Sequence, residues 1–156
     1  MTGIEQISGF SMELFSLKGK TAIVTGANKG LGMGYALAFA KAGADLFIPC
    51  HSDDWQEIKA LVEAEGRRAE FLQGDLRDRD YLYSIPEKCL EAYGKIDILV
   101  NNAGTNCFEE FLDFPDEGWD RVMAVNLDAV YLLGHAVAKI MAKHGQPVWH
   151  QPYSVP

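Results

Sequence analysis

The sequence predicts an α/β protein, a doubly wound parallel sheet with helices on both faces, and the pattern stops after about four βα units. Three observations carry that expectation. Short apolar runs containing β-branched residues alternate with longer stretches of helical period. Glycines close most of the helical stretches, as at Gly43, Gly66 and Gly94. The composition, 48% apolar and 23% charged, is that of an ordinary globular domain, which excludes disordered and low-complexity classes.

The elements follow in order. Residues 1–16 form a loosely patterned arm. Residues 21–25 read as a buried strand, and a glycine-rich turn spans residues 26–34. Residues 35–42 form an alanine-rich helix stopped by Gly43, and residues 44–50 a second strand. Strand, turn, helix and strand make a βαβ unit. Ser52 is the expected N-cap of the next helix, whose apolar face holds Ile58, Leu61 and Val62. Residues 69–73 give a third strand, residues 78–93 a helix, and residues 96–100 a fourth strand. A long helix is expected over residues 115–144, with Trp119, Val122, Met123, Leu127, Val130, Val137, Ile140 and Met141 near one stripe. Its acidic start (Asp116, Glu117, Asp120) and basic end (Lys139, Lys143) complement the helix dipole. Residues 145–156 contain three prolines and make a poor central strand, so they are set apart as a tail.

Charge and composition narrow the function. Fourteen basic against twenty-two acidic residues give a net charge of −8, which disfavours a nucleic-acid partner but not a small anionic ligand. Cys50, Cys89 and Cys107 are widely spaced, with no CxxC, which fits a reducing compartment rather than a disulfide scaffold. No run of about 18 apolar residues predicts a membrane span. The first fifteen residues carry two acids and no base, unlike a secretory signal, so a cytoplasmic address is expected. His51, His135, His144 and His150 show no metal-ligand spacing, and no metal is expected.

Four local patterns bear on chemistry. Thr25 to Gly32 (TGANKGLG) lies between a strand and a helix. Glycines there let the backbone turn tightly and a pyrophosphate approach, and the helix N-terminus offers free N–H groups and a positive dipole end. Gly26, Asn28, Lys29, Gly30, Leu31 and Gly32 are therefore the candidates to hold a dinucleotide. Asp75-Leu76 follows the third strand, where a carboxylate either accepts from an adenine amino group or caps a helix. Asn102-Ala103-Gly104 follows the fourth strand and either lets backbone lie close to a ribose or makes an ordinary turn. Asn126 interrupts the apolar stripe of the long helix, where a buried amide must find partners.

In this order and at these intervals the four patterns resemble the short-chain dehydrogenase/reductase family, over about residues 16–144. TGANKGLG matches the family's TGxxxGxG, Asp75-Leu76 its adenine-contacting pair, Asn101 to Gly104 its NNAG, and Asn126 its helix asparagine. The wording of FSLKGKTAIVTG, GLGMGYALAFAKAGAD, GDLRD and KIDILVNNAG is most like the group of gluconate 5-dehydrogenase and the 2-deoxygluconate and 2-dehydro-3-deoxygluconate dehydrogenases. The resemblance implies a Rossmann-type dinucleotide-binding domain over residues 17–144, NAD or NADP as cofactor, and hydride transfer to or from a small alcohol or ketone such as a sugar acid. It implies a catalytic support role for Asn126. It also implies a serine and a YxxxK pair, in which lysine tunes a tyrosine of ordinary pKa about 10 into a base. The chain departs here: no YxxxK occurs in it, and the serine that would precede it is missing. Residues 145–156 read as another reading frame or as the end of a cut chain, and no turnover is expected of this polypeptide alone. The alternative is an inactive dinucleotide-binding fragment or interaction module. The long helix at 115–144 is also a candidate face for homo-oligomerisation. For cofactor choice, Asp53 is placed to serve a ribose diol or to start a helix, and Lys29 to meet a 2′-phosphate or solvent; NAD is preferred.

Overall fold

The structure is a computed structural model that describes residues 11–145. Four strands, β1 (Thr21–Val24), β2 (Asp45–Cys50), β3 (Ala69–Gln73) and β4 (Ile98–Val100), form one parallel sheet in the order β3-β2-β1-β4. Parallel neighbours need crossovers, and helices supply them: α1 (Gly30–Ala42), α2 (Gln56–Ala64) and α3 (Arg79–Tyr93). After β3 the chain returns across the sheet and lays β4 on the far side of β1. The strand order therefore reverses between β1 and β4, the position at which open α/β sheets bind ligands.

The strand period of two divides β1 between two cores. Ala22 and Val24 join Leu46 and Ile48 against Ala36 and Ala40 of α1 and Ile58 and Val62 of α2. Ile23 and Phe47 face the other way, onto Leu82, Ile85 and Cys89 of α3 and onto the last long helix. Burial on both faces explains why β1 reads as an unbroken apolar run. Small Ala36 and Ala40 bring α1 close to the sheet, and α1 ends on Gly43, whose φ of 103° favours glycine.

Several boundaries differ from the sequence expectation. α1 starts at Gly30, five residues before the expected helix and inside the stretch expected as turn, and β1 stops at Val24, one residue early. Ser52 does not cap α2. Its hydroxyl donates instead to Asp54, and the helix starts at Gln56, after Trp55 has stacked on Phe71 at 5.2 Å. β4 is shorter than residues 96–100: Ile96 is buried ahead of it, and Asp97 joins it to β1 through a single backbone bond to the Thr21 carbonyl at 2.9 Å before the regular pairing starts at Ile98.

The last helix, α4 (Asp116–Lys143), runs 28 residues. It is α-helical at Asp116–Met123, π-helical at Ala124–Asp128 and α-helical again at Ala129–Lys143. The single apolar stripe expected along it is not buried as one. Ala129, Leu133 and Val137 are in the core, while Trp119, Leu127 and Tyr131 are 58%, 54% and 68% exposed. The π turn admits an extra residue, which rotates the later half by about 100° relative to a continuous 3.6-residue period. α4 is long and apolar enough to cross a membrane by length and composition. Its buried residues Ala129, Leu133 and Val137 pack on α3 and the sheet, while most of its apolar window stays uncovered. Residues 1–10 and 146–156, most of the arm and nearly all of the tail, lie outside the described residues.

Candidate functional site

A cavity of about 650 Å³ opens at the carboxyl ends of the strands, within the size range of cofactor pockets. Five segments wall it: the glycine turn after β1, residues 49–52 at the end of β2, residues 74–77 after β3, residues 102–105 after β4, and Arg121 and Val125 of α4. Of the candidates, Gly26, Asn28, Lys29, Leu31, Gly32, Asp75, Leu76, Asn102, Ala103 and Gly104 line it. Gly30, at φ 58°, shapes the turn without lining the cavity. Asn126 does not line it either, but holds a residue that does.

The turn and the Asn102 segment are packed with no space between them. Gly26 has φ 63°, and a Cβ there would stand 3.1 Å from Ala103. A Cβ on Gly32 would stand 2.4 Å from the Asn102 side-chain nitrogen. That nitrogen donates to the carbonyls of Thr25 (2.9 Å) and Gly26 (3.3 Å). The Thr25 hydroxyl oxygen accepts from the amides of Asn102 and Ala103, both at 3.0 Å. Thr25 is thus the joint between β1 and β4, a part that the sequence reading assigned to no site residue. The available signal was a polar residue closing a buried apolar strand.

The N-terminus of α1 faces the cavity through Leu31 and Gly32, and Lys29 at its N-cap makes no side-chain cap. First-turn amides and the positive end of the helix dipole are thereby left for an anion. This arrangement, with backbone crowded where a Cβ would clash, fits the pyrophosphate of a dinucleotide.

At the β2 rim, the Asn28 amide donates to Ser52 Oγ (3.1 Å) and to Asp54 Oδ1 (2.5 Å), and Ser52 donates to the same oxygen (2.5 Å). The Ser52 hydroxyl, then the Asn28 amide, hold the Asp54 carboxyl below its usual range, with Lys29 assisting. The acid in this network is Asp54; Asp53 does not start α2, which begins at Gln56 after Trp55. Cys50 lines the cavity as a neutral thiol, since burial and the nearby Asp54 push its pKa up to about 11.

Asp75 does not cap α3. That role belongs to Asp78, which accepts from the amides of Asp80 and Tyr81. Asp75 is instead held by Arg77, whose fork lowers its pKa. Asn126 sits in the π turn of α4 and is exposed, not buried as its place in the stripe suggested. Its amide is still satisfied: Oδ1 accepts from Thr105 N and Nδ2 donates to Thr105 O, both at 2.9 Å. Asn126 therefore fixes the backbone just beyond Gly104. Among the described residues no cluster of three or more His, Cys, Asp or Glu is arranged to hold a metal.

Comparison with known proteins agrees with this geometry. The family model described as short chain dehydrogenase matches residues 20–147. An uncharacterized oxidoreductase of Escherichia coli is 46% identical over 138 residues, 88% of this chain and 53% of the relative. The 2-dehydro-3-deoxy-D-gluconate 5-dehydrogenase of Bacillus subtilis is 40% identical over 137 residues, 88% of this chain and 54% of its own. The crystal structure of an NAD+-bound xylitol dehydrogenase superposes with a TM-score of 0.77 at 26% identity, covering 83% of this chain and 50% of that one. The chain spans about half the length of the curated relatives it matches. With its parallel sheet, its glycine turn at the switch point and a family match across most of its length, the chain belongs to the short-chain dehydrogenase family.

Proposed function

We propose that this chain is the cofactor-binding part of an NAD(P)-dependent oxidoreductase that moves a hydride between nicotinamide and a small alcohol or ketone. A sugar acid such as gluconate or a deoxygluconate is the substrate class, supported by the named Bacillus relative. One observation carries the reading: the uncapped N-terminus of α1, the packed Gly26–Asn102 contact and the Asp75-Leu76 loop converge on one cavity. The cofactor supplies the hydride chemistry when bound. The chain supplies the hold. The glycine turn and first-turn amides of α1, with Lys29, take the pyrophosphate, Asp75 and Leu76 the adenine, and Asn102 to Gly104 the ribose side. Asn126 positions the backbone at Thr105 beside them.

NAD is preferred over NADP, because the Asp54 carboxylate is fastened at the rim by Asn28 and Ser52 and repels a 2′-phosphate. The likeness to an NAD+-bound xylitol dehydrogenase supports the same choice. The three free cysteines support a reducing, cytoplasmic setting. The exposed face of α4 is the surface we assign to self-association. A second reading is a dinucleotide-binding module without turnover, since the cavity's lining supplies a hold for a dinucleotide and no more.

Titration of the purified chain with NADH and NADPH, read by cofactor fluorescence, tests these assignments. NADH is expected to bind tighter than NADPH. Leu31→Asp places a carboxylate where the pyrophosphate would lie, at a side chain 78% exposed. It should weaken NADH by about tenfold or more through charge repulsion. Its unfolding midpoint should hold, because an acid at a helix N-terminus is favourable. Production of NADH from gluconate and NAD+ would establish turnover, and binding without it would favour the module. Failure to bind either nucleotide would sink both readings.

A further inference from the structure

Asp75 is the carboxylate that lines the cavity, and Arg77 lines it beside Asp75. The two form a closed unit within one loop. The Arg77 backbone amide donates to Asp75 Oδ1 at 2.9 Å. Nε lies 3.1 Å from Oδ1 and 2.9 Å from Oδ2, and Nη2 donates to Oδ2 at 2.6 Å. An ionised carboxylate has about four acceptor positions. Three N–H groups of the same loop, with the single Nε–H shared between the two oxygens, thus engage both oxygens of Asp75 and leave about one acceptor position for a base amino group. Both partners are open to solvent, 51% for Arg77 and 31% for Asp75, so the pair can exchange without disturbing the core.

We propose that Arg77 is a built-in competitor for adenine: it engages both oxygens of the carboxylate that the adenine amino group needs, and the base is held at full strength once the guanidinium turns aside. This rests on the reading of the cavity as a dinucleotide site. Arg77 thereby sets how tightly, and at what salt concentration, an adenine nucleotide is held. It acts through Asp75 and not through contact with phosphate, which separates it from Lys29 at the glycine turn.

Adenosine is the discriminating probe, because it is uncharged and loses no attraction when a cation is removed. Chemical-shift titration of the full chain reads even weak binding. Arg77→Ala should tighten adenosine by about two- to fivefold, the range expected when an exposed ion pair no longer competes. Asp75→Asn should weaken it, and adding Arg77→Ala to Asp75→Asn should change nothing further. Raising salt should tighten adenosine on the unaltered chain, by screening the pair, and leave Arg77→Ala unmoved. Weaker or unchanged adenosine binding by Arg77→Ala, with NADH still bound by the unaltered chain, overturns the proposal and leaves the site reading standing. If neither adenosine nor NADH binds the unaltered chain, the site reading fails and the proposal goes with it.

Discussion

The Thr25 hydroxyl serves two amides at once, those of Asn102 and Ala103, at the point where β1 gives way to the glycine turn. The residue is 2% exposed, so no water replaces the hydroxyl if it is lost. Thr25→Val keeps the shape and removes the acceptor. Leaving two half-buried N–H groups without this acceptor should cost about 1–3 kcal/mol, while Thr25→Ser should keep most of the stability. Urea unfolding of the two variants measures this, and equal stability would show that Thr25 acts only as a spacer. The same residue shows what local sequence conceals. Thr25 is read as the last residue of a strand because its partners are more than seventy positions away. Only the placement of β4 beside β1 brings them together. The Asn28–Ser52–Asp54 network is concealed for a related reason, since it depends on where Asn28, on another loop, aims its amide.

Strands and helices were far more legible than these contacts. β3 and α3 match expectation to within a residue, because alternation, an Asp78 cap and a Gly94 stop are local signals. α4 was legible in length but not in facing, since a π turn adds a residue without changing composition. Its consequence reaches the cavity wall, because Asn126 sits in that turn and holds the Thr105 backbone. At the opposite end of the sheet from the cavity, one carboxylate ties β1 to the entry of β4. Asp97, its side chain 7% exposed, accepts from the Thr21 amide at 2.9 Å and pairs with Lys20 at 3.2 Å and Lys95 at 3.4 Å. Burial works against its ionisation, but the Thr21 amide and the two lysines outweigh it and hold the carboxyl below its ordinary value. The folded pKa is depressed, so this stabilisation is present above the unfolded value of about 3.9 and is lost as pH falls through the folded value. Asp97→Asn keeps the shape and removes the titration. The gap in thermal midpoint between the two proteins should be flat above about pH 5 and narrow below about pH 4. A gap that stayed constant to low pH would show that the charge of Asp97 contributes nothing.

At the scale of the whole molecule, the crossover from β3 to β4 does two things. It opens the cavity at the switch point, and it places β4 at an edge, with β1 its only strand partner among the described residues. α4, packed on α3 and one face of the sheet, shows solvent an apolar patch of Leu127, Val130 and Tyr131, with His135 stacked on Tyr131 at 5.9 Å. These residues are spaced by three and four positions, so they share one face after the π turn has set its direction. An apolar stripe with no charge of its own is costly on a protein of net charge −8 unless something covers it, and a second copy of the same helix is self-complementary. Sedimentation velocity at micromolar concentration should therefore show a dimer. Tyr131→Lys should shift it to monomer by placing like charges across the two-fold axis. NADH affinity should survive, because Tyr131 does not line the cavity. A monomer before substitution would remove α4 as the assembly face. A dimer that Tyr131→Lys left intact would move the contact elsewhere, with the unpaired side of β4 the next surface to probe.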